Sequence, residues 1–233
     1  MQRGSSSDTT DVQVDGPAHF DWTYTRDRPR LARLYEAAKR DQWNATDAIP
    51  WNIDVDPMNP EVPLLPDRYV PLHNHPAYQR LSEPEKNEQR RAMMAWLLSQ
   101  FLHGEQGALI ATSKIVMTVP DADSKFYAAT QVMDEARHVE AFSRLLHDKV
   151  GLAYPITGGL RTLLEQGLSD SRWDMTYLTM QILIEGLALA AFQRNRDVSG
   201  DPLVQAVHAY VMQDEARHVA FGRLALRDYY PQL

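Results

Sequence analysis

The chain has 233 residues, 44% of them hydrophobic and 24% charged, and this length and composition favour one domain with a substantial core. The 24 basic and 31 acidic residues give a net charge of -7, which argues against a nucleic acid or an anionic membrane as the main partner. Because there is no cysteine, disulfides, zinc fingers and thiolate-held clusters are excluded, and we expect a cytoplasmic protein. Its longest apolar runs are interrupted by polar residues, so no membrane-spanning segment is predicted.

The first third of the chain divides into a tail and an accessory segment. Residues 1–27 are predicted to be a disordered tail, because they begin with a stretch rich in Ser, Asp and Thr that has few apolar side chains. Residues 28–81 are predicted to form an accessory helix followed by a proline-rich strap. Apolar residues recur at helical spacing as far as Trp43, and the seven prolines between residues 44 and 81 exclude a long helix there. Trp43 and Trp51 are expected to anchor the strap.

Residues 82–233 are predicted to form a bundle of four helices. Ser82 and Glu85 make a capping box at the start of the first helix, and Asp201 with Pro202 starts the last one. The predicted helices cover about residues 82–118, 121–149, 169–197 and 202–229. Glycines and a proline between residues 151 and 159 indicate a longer crossover with a short connecting helix over residues 159–167. Two antiparallel hairpins joined by this crossover would make the bundle.

The second and fourth of these helices carry the same six residues, Asp-Glu-Ala-Arg-His-Val, at positions 134–139 and 214–219. Each copy places a Glu and a His at i, i+3, where both side chains lie on one face of a helix. An isolated Glu stands in an apolar helical run on each of the other two helices, at Glu105 and Glu185. Four buried glutamates would be strongly destabilising without cations, whereas two divalent ions cancel their charge. The predicted metal ligands, and therefore the catalytic centre, are Glu105, Glu135, His138, Glu185, Glu215 and His218.

This ligand set resembles that of the ferritin-like di-iron and di-manganese carboxylate proteins, over roughly residues 82–229. The resemblance implies an all-α fold, namely a ferritin-like four-helix bundle with an N-terminal helix and a proline-rich strap. It also implies two iron ions as cofactor, with an Mn/Fe pair as the alternative, and O2 as co-substrate.

An Asp before each ligand Glu and an Arg before each ligand His are similar to the signature of bacterial multicomponent di-iron monooxygenases. That resemblance implies that Asp134, Arg137, Asp214 and Arg217 support the ligands, each Asp holding the His of the opposite half. Salt bridges on the helix surface are the alternative explanation.

Three positions depart from known branches of this superfamily. Leu189 stands where the monooxygenase hydroxylases have a Thr, and those hydroxylases are much longer. Phe142 replaces the Tyr that forms the radical in ribonucleotide reductase, so a stable tyrosyl radical is excluded there. Val211 occupies the position of an additional His ligand in the di-iron N-oxygenases that oxidise arylamines, and His208 lies too far from Glu215 to replace it.

Two classes of function fit these residues. The first is an enzyme, a non-haem di-iron monooxygenase or oxidase that hydroxylates, N-oxygenates or desaturates a small, largely apolar organic substrate. It implies an electron donor such as a reductase or ferredoxin, no nucleic-acid or membrane partner, and leaves a homodimer open. The second is a ferroxidase or peroxide-scavenging iron protein similar to ferritin or rubrerythrin.

A break in the internal repeat bears on where a substrate would bind. Phe142 follows the first ligand His by four residues, and Gly222 holds the equivalent position after the second. A glycine in mid-helix is unfavourable by about 1 kcal/mol relative to Ala, so it needs a compensating reason. Either Gly222 permits close helix packing, or the missing side chain opens a substrate cavity beside the metals. In the second case the predicted pocket residues are Leu109, Phe142, Leu189, Phe192 and Gly222.

Overall fold

The computed structural model describes residues 10–230, and all regular secondary structure within this range is helical. Residues 1–9 of the predicted tail lie outside the described residues. In chain order the longer helices are α1 (Pro29–Arg40), α2 (Glu83–Thr118), α3 (Ala122–Arg144, continued by the π-helical stretch Leu145–Val150), α4 (Gly158–Ser169), α5 (Trp173–Val198) and α6 (Pro202–Tyr229). The accessory segment also contains three short helices, Ala45–Ala48, Asp67–Tyr69 and Pro76–Gln79. Helices α2, α3, α5 and α6 form the four-helix bundle, and α4 lies in the crossover.

Local sequence determines where the bundle helices begin. Ser82 and Glu85 form the predicted capping box at the start of α2. Asp121 accepts a hydrogen bond from the backbone of the first turn of α3, and Asp201 does the same for α6. Only residues 119–121 separate α2 from α3, and only residues 199–201 separate α5 from α6. Such short turns make each pair an antiparallel hairpin.

Helix α5 differs from the sequence prediction in its start and in its regularity. It begins at Trp173 rather than near Ser169, because the Asp170 side chain accepts a hydrogen bond from the backbone N–H of Arg172 and so forms a turn. Its stretch Leu178–Ile184 is π-helical and ends directly before Glu185. Insertions of this kind are rare and concentrate at functional sites.

Helix α5 is also the one described helix that is long and apolar enough to cross a membrane by length and composition alone. Buried helices of bundles pass the same test, and α5 packs against α6 with Glu185 in the interior.

The accessory segment packs on the outside of the bundle. Helix α1 contacts α3 and α6, and it buries Leu31 and Ala38. In the strap Leu64 and Leu65 are fully buried, and Trp51 is buried with its indole N–H donating to Ala45 O. The described part of the expected tail has no helix, and its His19 N–H donates to Met117 O near the end of α2. The division of the chain at residues 27 and 81 stays a prediction.

Two apolar clusters fill the bundle on either side of the predicted ligands. One contains Tyr127, Tyr177 and Phe221, and the other contains Phe142 and Phe192. Because Glu135 and His138 lie between Tyr127 and Phe142 on α3, the ligand layer is sandwiched between these clusters.

Candidate metal centre

The four bundle helices bring the six predicted ligands together in the interior. Each is at most 5% exposed. Their potential ligand atoms form two groups within which all atoms lie within 4.8 Å of one another, namely Glu105, Glu135, His138 and Glu215, and Glu135, Glu185 and His218. Two groups of ligand atoms that share a residue are the arrangement expected of two neighbouring metal ions.

Distances from the two imidazoles distinguish two central carboxylates from two peripheral ones. His138 Nδ1 lies 3.1 Å from Glu215 Oε1 and 3.3 Å from Glu135 Oε2. On the other side, His218 Nδ1 lies 3.2 Å from Glu135 Oε1 and 3.6 Å from Glu215 Oε1. Glu135 and Glu215 therefore lie between the two histidines. Glu105 contacts only the His138 side, and Glu185 only the His218 side.

Several inward-facing atoms in this cluster have no hydrogen-bond partner. They are Glu135 Oε2, Glu185 Oε2, Glu215 Oε1 and His218 Nδ1. Buried acceptors without donors are unfavourable by about 1–3 kcal/mol each, and more when charged. Carboxylate oxygens and imidazole nitrogens are ligands suited to iron or manganese. The residues present therefore fit two divalent ions.

The Asp residues of the doubled motif fix the orientation of the histidines. His138 Nε2 lies 3.0 Å from Asp214 Oδ2, and His218 Nε2 lies 3.2 Å from Asp134 Oδ2. This crossed pairing is the one that the resemblance implied. Each carboxylate accepts a hydrogen bond from Nε2–H, so each Nδ1 is left to present its lone pair to a bound metal ion.

Arg137 of the motif is buried with these carboxylates, and the side chain of Arg217 is 13% exposed. Arg137 donates to Asp134 Oδ1 (2.5 Å) and to Asp214 Oδ2 (2.9 Å), and Arg217 donates to Asp214 Oδ1. The exposed side-chain fraction is 5% for Arg137 and 0% for both aspartates. The surface salt-bridge explanation is therefore wrong for this network.

Gln42 and Trp43, which follow α1, complete this hydrogen-bond network, and the sequence patterns did not predict that role. Gln42 Nε2 donates to Asp134 Oδ1 (2.9 Å), and Trp43 Nε1 donates to Asp214 Oδ2 (2.8 Å). Trp43 was expected only to anchor the strap. A packed indole usually finds an acceptor for its N–H, and this general rule is the one signal that could have prompted a search for its partner.

Two buried glutamines donate hydrogen bonds to the glutamates of the cluster. Gln131 Nε2 donates to Glu135 Oε1 (2.9 Å) and Glu185 Oε1 (2.8 Å), and Gln181 Nε2 donates to Glu185 Oε1 (3.1 Å). Each glutamine lies four residues before a ligand Glu on its own helix, and this spacing was an available signal.

Burial and mutual charge shift the protonation of the cluster. Burial, followed by the charge of Glu215, raises the pKa of Glu105, and burial also raises the pKa of Glu185 well above its usual value. Burial alone would lower the pKa of both histidines. Hydrogen bonds that His138 donates to Asp214 and Glu105 nevertheless raise the pKa of His138, and the charges of Glu135 and Glu215 raise that of His218. The metal-free cluster thus holds protons that bound metal ions would displace.

A cavity of about 500 Å³ reaches the four ligand glutamates from the surface. It lies between α2, α4 and α5, and its rim includes Leu187, which is 70% exposed, and Trp96, which is 38% exposed. The remaining walls are largely apolar. Gly104 and Ala108 beside Glu105, and Ala188 and Ala191 beyond Glu185, provide the space because their side chains are small.

Most of the predicted substrate-pocket residues lie outside this cavity. An added Cβ at Gly222 would lie 2.4 Å from Gln181 Cβ, so this glycine permits close packing of α6 on α5 and opens no cavity. Phe142 is fully buried against Phe101, and neither it nor Leu109 or Leu189 lines the cavity. Of the five predicted residues only Phe192 lines it. The sequence signal for this cavity is the set of small residues near Glu105 and Glu185.

His208 lies outside both groups of candidate ligand atoms. Its Nδ1–H donates to Val204 O (2.7 Å), and its ring packs against Phe101, Phe142 and Phe192. Burial lowers its pKa to about 4.

Comparison with known proteins agrees with this geometry. A family model described as p-aminobenzoate N-oxygenase AurF matches residues 25–233. An R2-like ligand-binding oxidase with an aerobically reconstituted Mn/Fe cofactor superposes with a TM-score of 0.54 at 21% identity, covering 82% of this chain and 66% of that chain. The R2-like ligand-binding oxidase from Sulfolobus acidocaldarius gives 0.53 at 17% identity, covering 89% and 76% of the respective chains. No individual curated protein matches the sequence.

At these identities the solved structures establish the fold alone. They confirm the predicted all-α, ferritin-like four-helix bundle. The chain spans just under two thirds of the length of the first of these oxidases.

Proposed function

The chain belongs to the AurF family of p-aminobenzoate N-oxygenases, and from this membership we propose that it is an O2-activating non-haem di-iron oxygenase or oxidase acting on a small, largely apolar organic substrate. The observation that carries the proposal is the cavity of about 500 Å³ that ends on the ligand glutamates. Cavities of this volume with mostly apolar walls are typical of sites for organic molecules. A ferroxidase or peroxide scavenger has no need of such a chamber.

The proposed cofactor is a pair of iron ions, with Mn/Fe as the alternative. Glu105 and His138 would hold one ion, Glu185 and His218 the other, and Glu135 and Glu215 would bridge them. When bound, the ions supply the redox chemistry of O2 activation, which amino-acid side chains lack. Val211 occupies the position of the additional His ligand of arylamine N-oxygenases, so the proposed set contains six protein ligands.

The protein's own side chains hold and enclose this centre. Asp134 and Asp214 keep the two imidazoles in one tautomer, and Gln131 and Gln181 hold Glu185. The apolar walls of the cavity exclude water from a bound substrate, which favours its oxidation over side reactions. Among hydroxylation, desaturation and N-oxygenation, the family name favours N-oxygenation.

The proposal also includes partners. Reduction of O2 by a di-iron oxygenase requires an electron donor, and a reductase or ferredoxin fits that role. We place the protein in the cytoplasm, where both donors occur, and include a homodimer as its assembly. The net charge of -7 gives no reason to add a nucleic acid or an anionic membrane.

Anaerobic titration with Fe(II), followed by O2 and stopped-flow absorption, tests the function. The expected result is two ions bound per chain, O2 consumption that stops after these are oxidised, and renewed turnover with a reductant and a neutral arylamine. The ferroxidase alternative would be established if O2 consumption continued with each further addition of Fe(II) and no organic product formed.

A matched pair of variants tests the ligand assignment. Replacing both proposed bridges, in Glu135→Ala with Glu215→Ala, should abolish binding of the pair. Glu140→Ala, an exposed Glu on the same helix, should retain both ions. Two ions retained by the double variant would refute the assignment.

A further inference from the structure

Gly104 is the one glycine among the described residues that lines the cavity, and helix packing does not account for it. It lies in the interior of α2, directly before Glu105. A glycine weakens the interior of a helix relative to alanine, so it needs a compensating reason. At Gly107 the reason is close packing, because an added Cβ would lie 2.4 Å from Leu164 Cδ2. At Gly104 an added Cβ would have no neighbour within 4 Å, so the space beside it is open.

This open space belongs to the cavity. The residues of α2 that line the cavity recur at helical spacing, so they present one face of the helix to it. They are Leu97, Gln100, Phe101, Gly104, Glu105 and Ala108. Gly104 is the member of this face that has no side chain, and it adjoins a proposed metal ligand. A side chain at position 104 would therefore occupy cavity space next to Glu105.

The internal repeat indicates on which side of the centre the cavity is wider. The position equivalent to Gly104 in the second half is Ile184, which directly precedes Glu185 and also lines the cavity. A branched side chain thus forms the wall before Glu185, whereas the wall before Glu105 has no side chain at the matching position. The wider space next to the carboxylates therefore lies on the Glu105 side.

We propose that Gly104 is a specificity-determining residue, which gives room for bulk next to the reacting group of an organic substrate on the Glu105 side of the centre. The inference rests on the proposed function and deepens it, because it places the reacting group at the glutamate end of the cavity. A side chain at position 104 would restrict substrates that are wide near the reacting group. It would leave substrates that are narrow there nearly unaffected.

Binding of two isomeric amines to the metal-loaded protein without O2 tests the inference. The ethyl group of ortho-ethylaniline lies beside the amine, and that of para-ethylaniline lies across the ring, so the isomers match in composition and differ in width near the amine. The parent protein should bind both. Gly104→Leu should bind the ortho isomer roughly 10- to 100-fold more weakly, as overpacking predicts, and the para isomer less than about threefold more weakly.

Equilibrium dialysis or calorimetry measures both affinities. Equal losses for the two isomers, or no binding of either isomer to the parent protein, would overturn the proposal. Gly104→Ala adds a single methyl group and should show a smaller loss with the same preference for the para isomer. It decides the question if Gly104→Leu fails to fold or to retain two metal ions, and an unchanged preference in Gly104→Ala would then overturn the proposal.

Gly186 provides the control for both substitutions. It directly follows Glu185, an added Cβ there would also have no neighbour within 4 Å, and it does not line the cavity. Gly186→Leu should therefore bind both isomers as the parent protein does, and an equal loss of the ortho isomer would overturn the proposal. Gly104→Ala and Gly186→Ala should each raise the Tm by about 2–4 °C, because both helices gain a better helix former without steric overlap. A lowered Tm in Gly104→Ala alone would show that packing requires this glycine, which would also overturn the proposal.

Turnover of the two isomers separates this inference from the proposed function. If both bind with the expected preferences and neither is oxidised in the presence of O2 and a reductant, the oxygenase assignment is removed and the role of Gly104 stands. If the parent protein and Gly104→Leu oxidise the ortho isomer equally well, the role of Gly104 is removed and the oxygenase assignment stands.

Discussion

Gly222 offers a stability test because its neighbour across the helix interface cannot move freely. A methyl group there would lie 2.4 Å from Gln181 Cβ and 3.2 Å from Ile182 Cδ1. Gln181 Cβ is next to the backbone, so α5 and α6 must separate to accommodate it. Gly186 lies within α5 and is the matched control, because an added Cβ there would have no neighbour within 4 Å.

The magnitude follows from two opposing effects. Replacing a helical glycine by alanine stabilises a helix by about 1 kcal/mol, and this gain applies to both sites. Overpacking a well-packed interface is destabilising by about 1–3 kcal/mol, and it applies only to Gly222→Ala. The difference in unfolding free energy between the two variants should therefore be about 1–3 kcal/mol. For a chain of this size, each kcal/mol corresponds to about 2–4 °C in Tm.

Thermal and denaturant unfolding of both variants, metal-free and loaded, would measure this difference. Gly222→Ala should also retain iron less well, because Gln181 donates to the ligand Glu185 (3.1 Å). If Gly222→Ala proved as stable as Gly186→Ala, the interface would have room for a side chain, and the close-packing explanation would be refuted.

Three further predictions concern the ligands. Asp134→Asn or Asp214→Asn should leave the fold intact and lower metal affinity by about 10- to 100-fold, because each Asp orients a proposed ligand imidazole. A chelator competition titration measures the affinity. Unchanged affinity in both variants would show that the aspartates do not orient the histidines. Metal loading near neutral pH should release protons, because burial raises the pKa of Glu105 and Glu185. Calorimetry in buffers of different ionisation enthalpy measures the number of protons released. A release of zero protons would contradict the prediction. These raised pKa values also mean that the folded metal-free protein binds more protons than the unfolded chain, so its stability should fall as pH rises from about 5, whereas the loaded protein should not show this loss.

The fold and the convergence of the six proposed ligand side chains could be predicted because both depend on short-range patterns. The capping box at Ser82, the Asp201 cap and the short turns fix the helices locally. The repeated Asp-Glu-Ala-Arg-His-Val placed Glu135 and Glu215 on one face of their helices, and the chemistry of buried carboxylates then required cations. None of these steps requires the packing arrangement of the helices to be known.

The remaining features depend on contacts between distant segments. Trp43 and Asp214 are separated by 171 positions, and no periodicity links them. The π-helical stretch Leu178–Ile184 has an ordinary apolar sequence, so its backbone hydrogen bonds are not visible in composition. The position of the cavity could not be predicted, because a gap depends on three packed helices at once. A glycine in one helix indicates a void only if the facing helix leaves it empty, and Gln181 fills the space beside Gly222.

The repeat makes the two metal positions alike, but their surroundings divide the centre into two faces. All four ligand glutamates line the cavity, and neither ligand histidine does. The histidines face the opposite way, toward Asp134 and Asp214, which in turn accept hydrogen bonds from Gln42 and Trp43 of the accessory segment. Carboxylates change between bridging and terminal binding more readily than an imidazole fixed by a hydrogen bond. The adaptable ligands thus face the space proposed for the substrate, and the fixed ligands are supported by a segment outside the repeat. Gln42 and Trp43 of the accessory segment thus support the candidate metal centre through these aspartates.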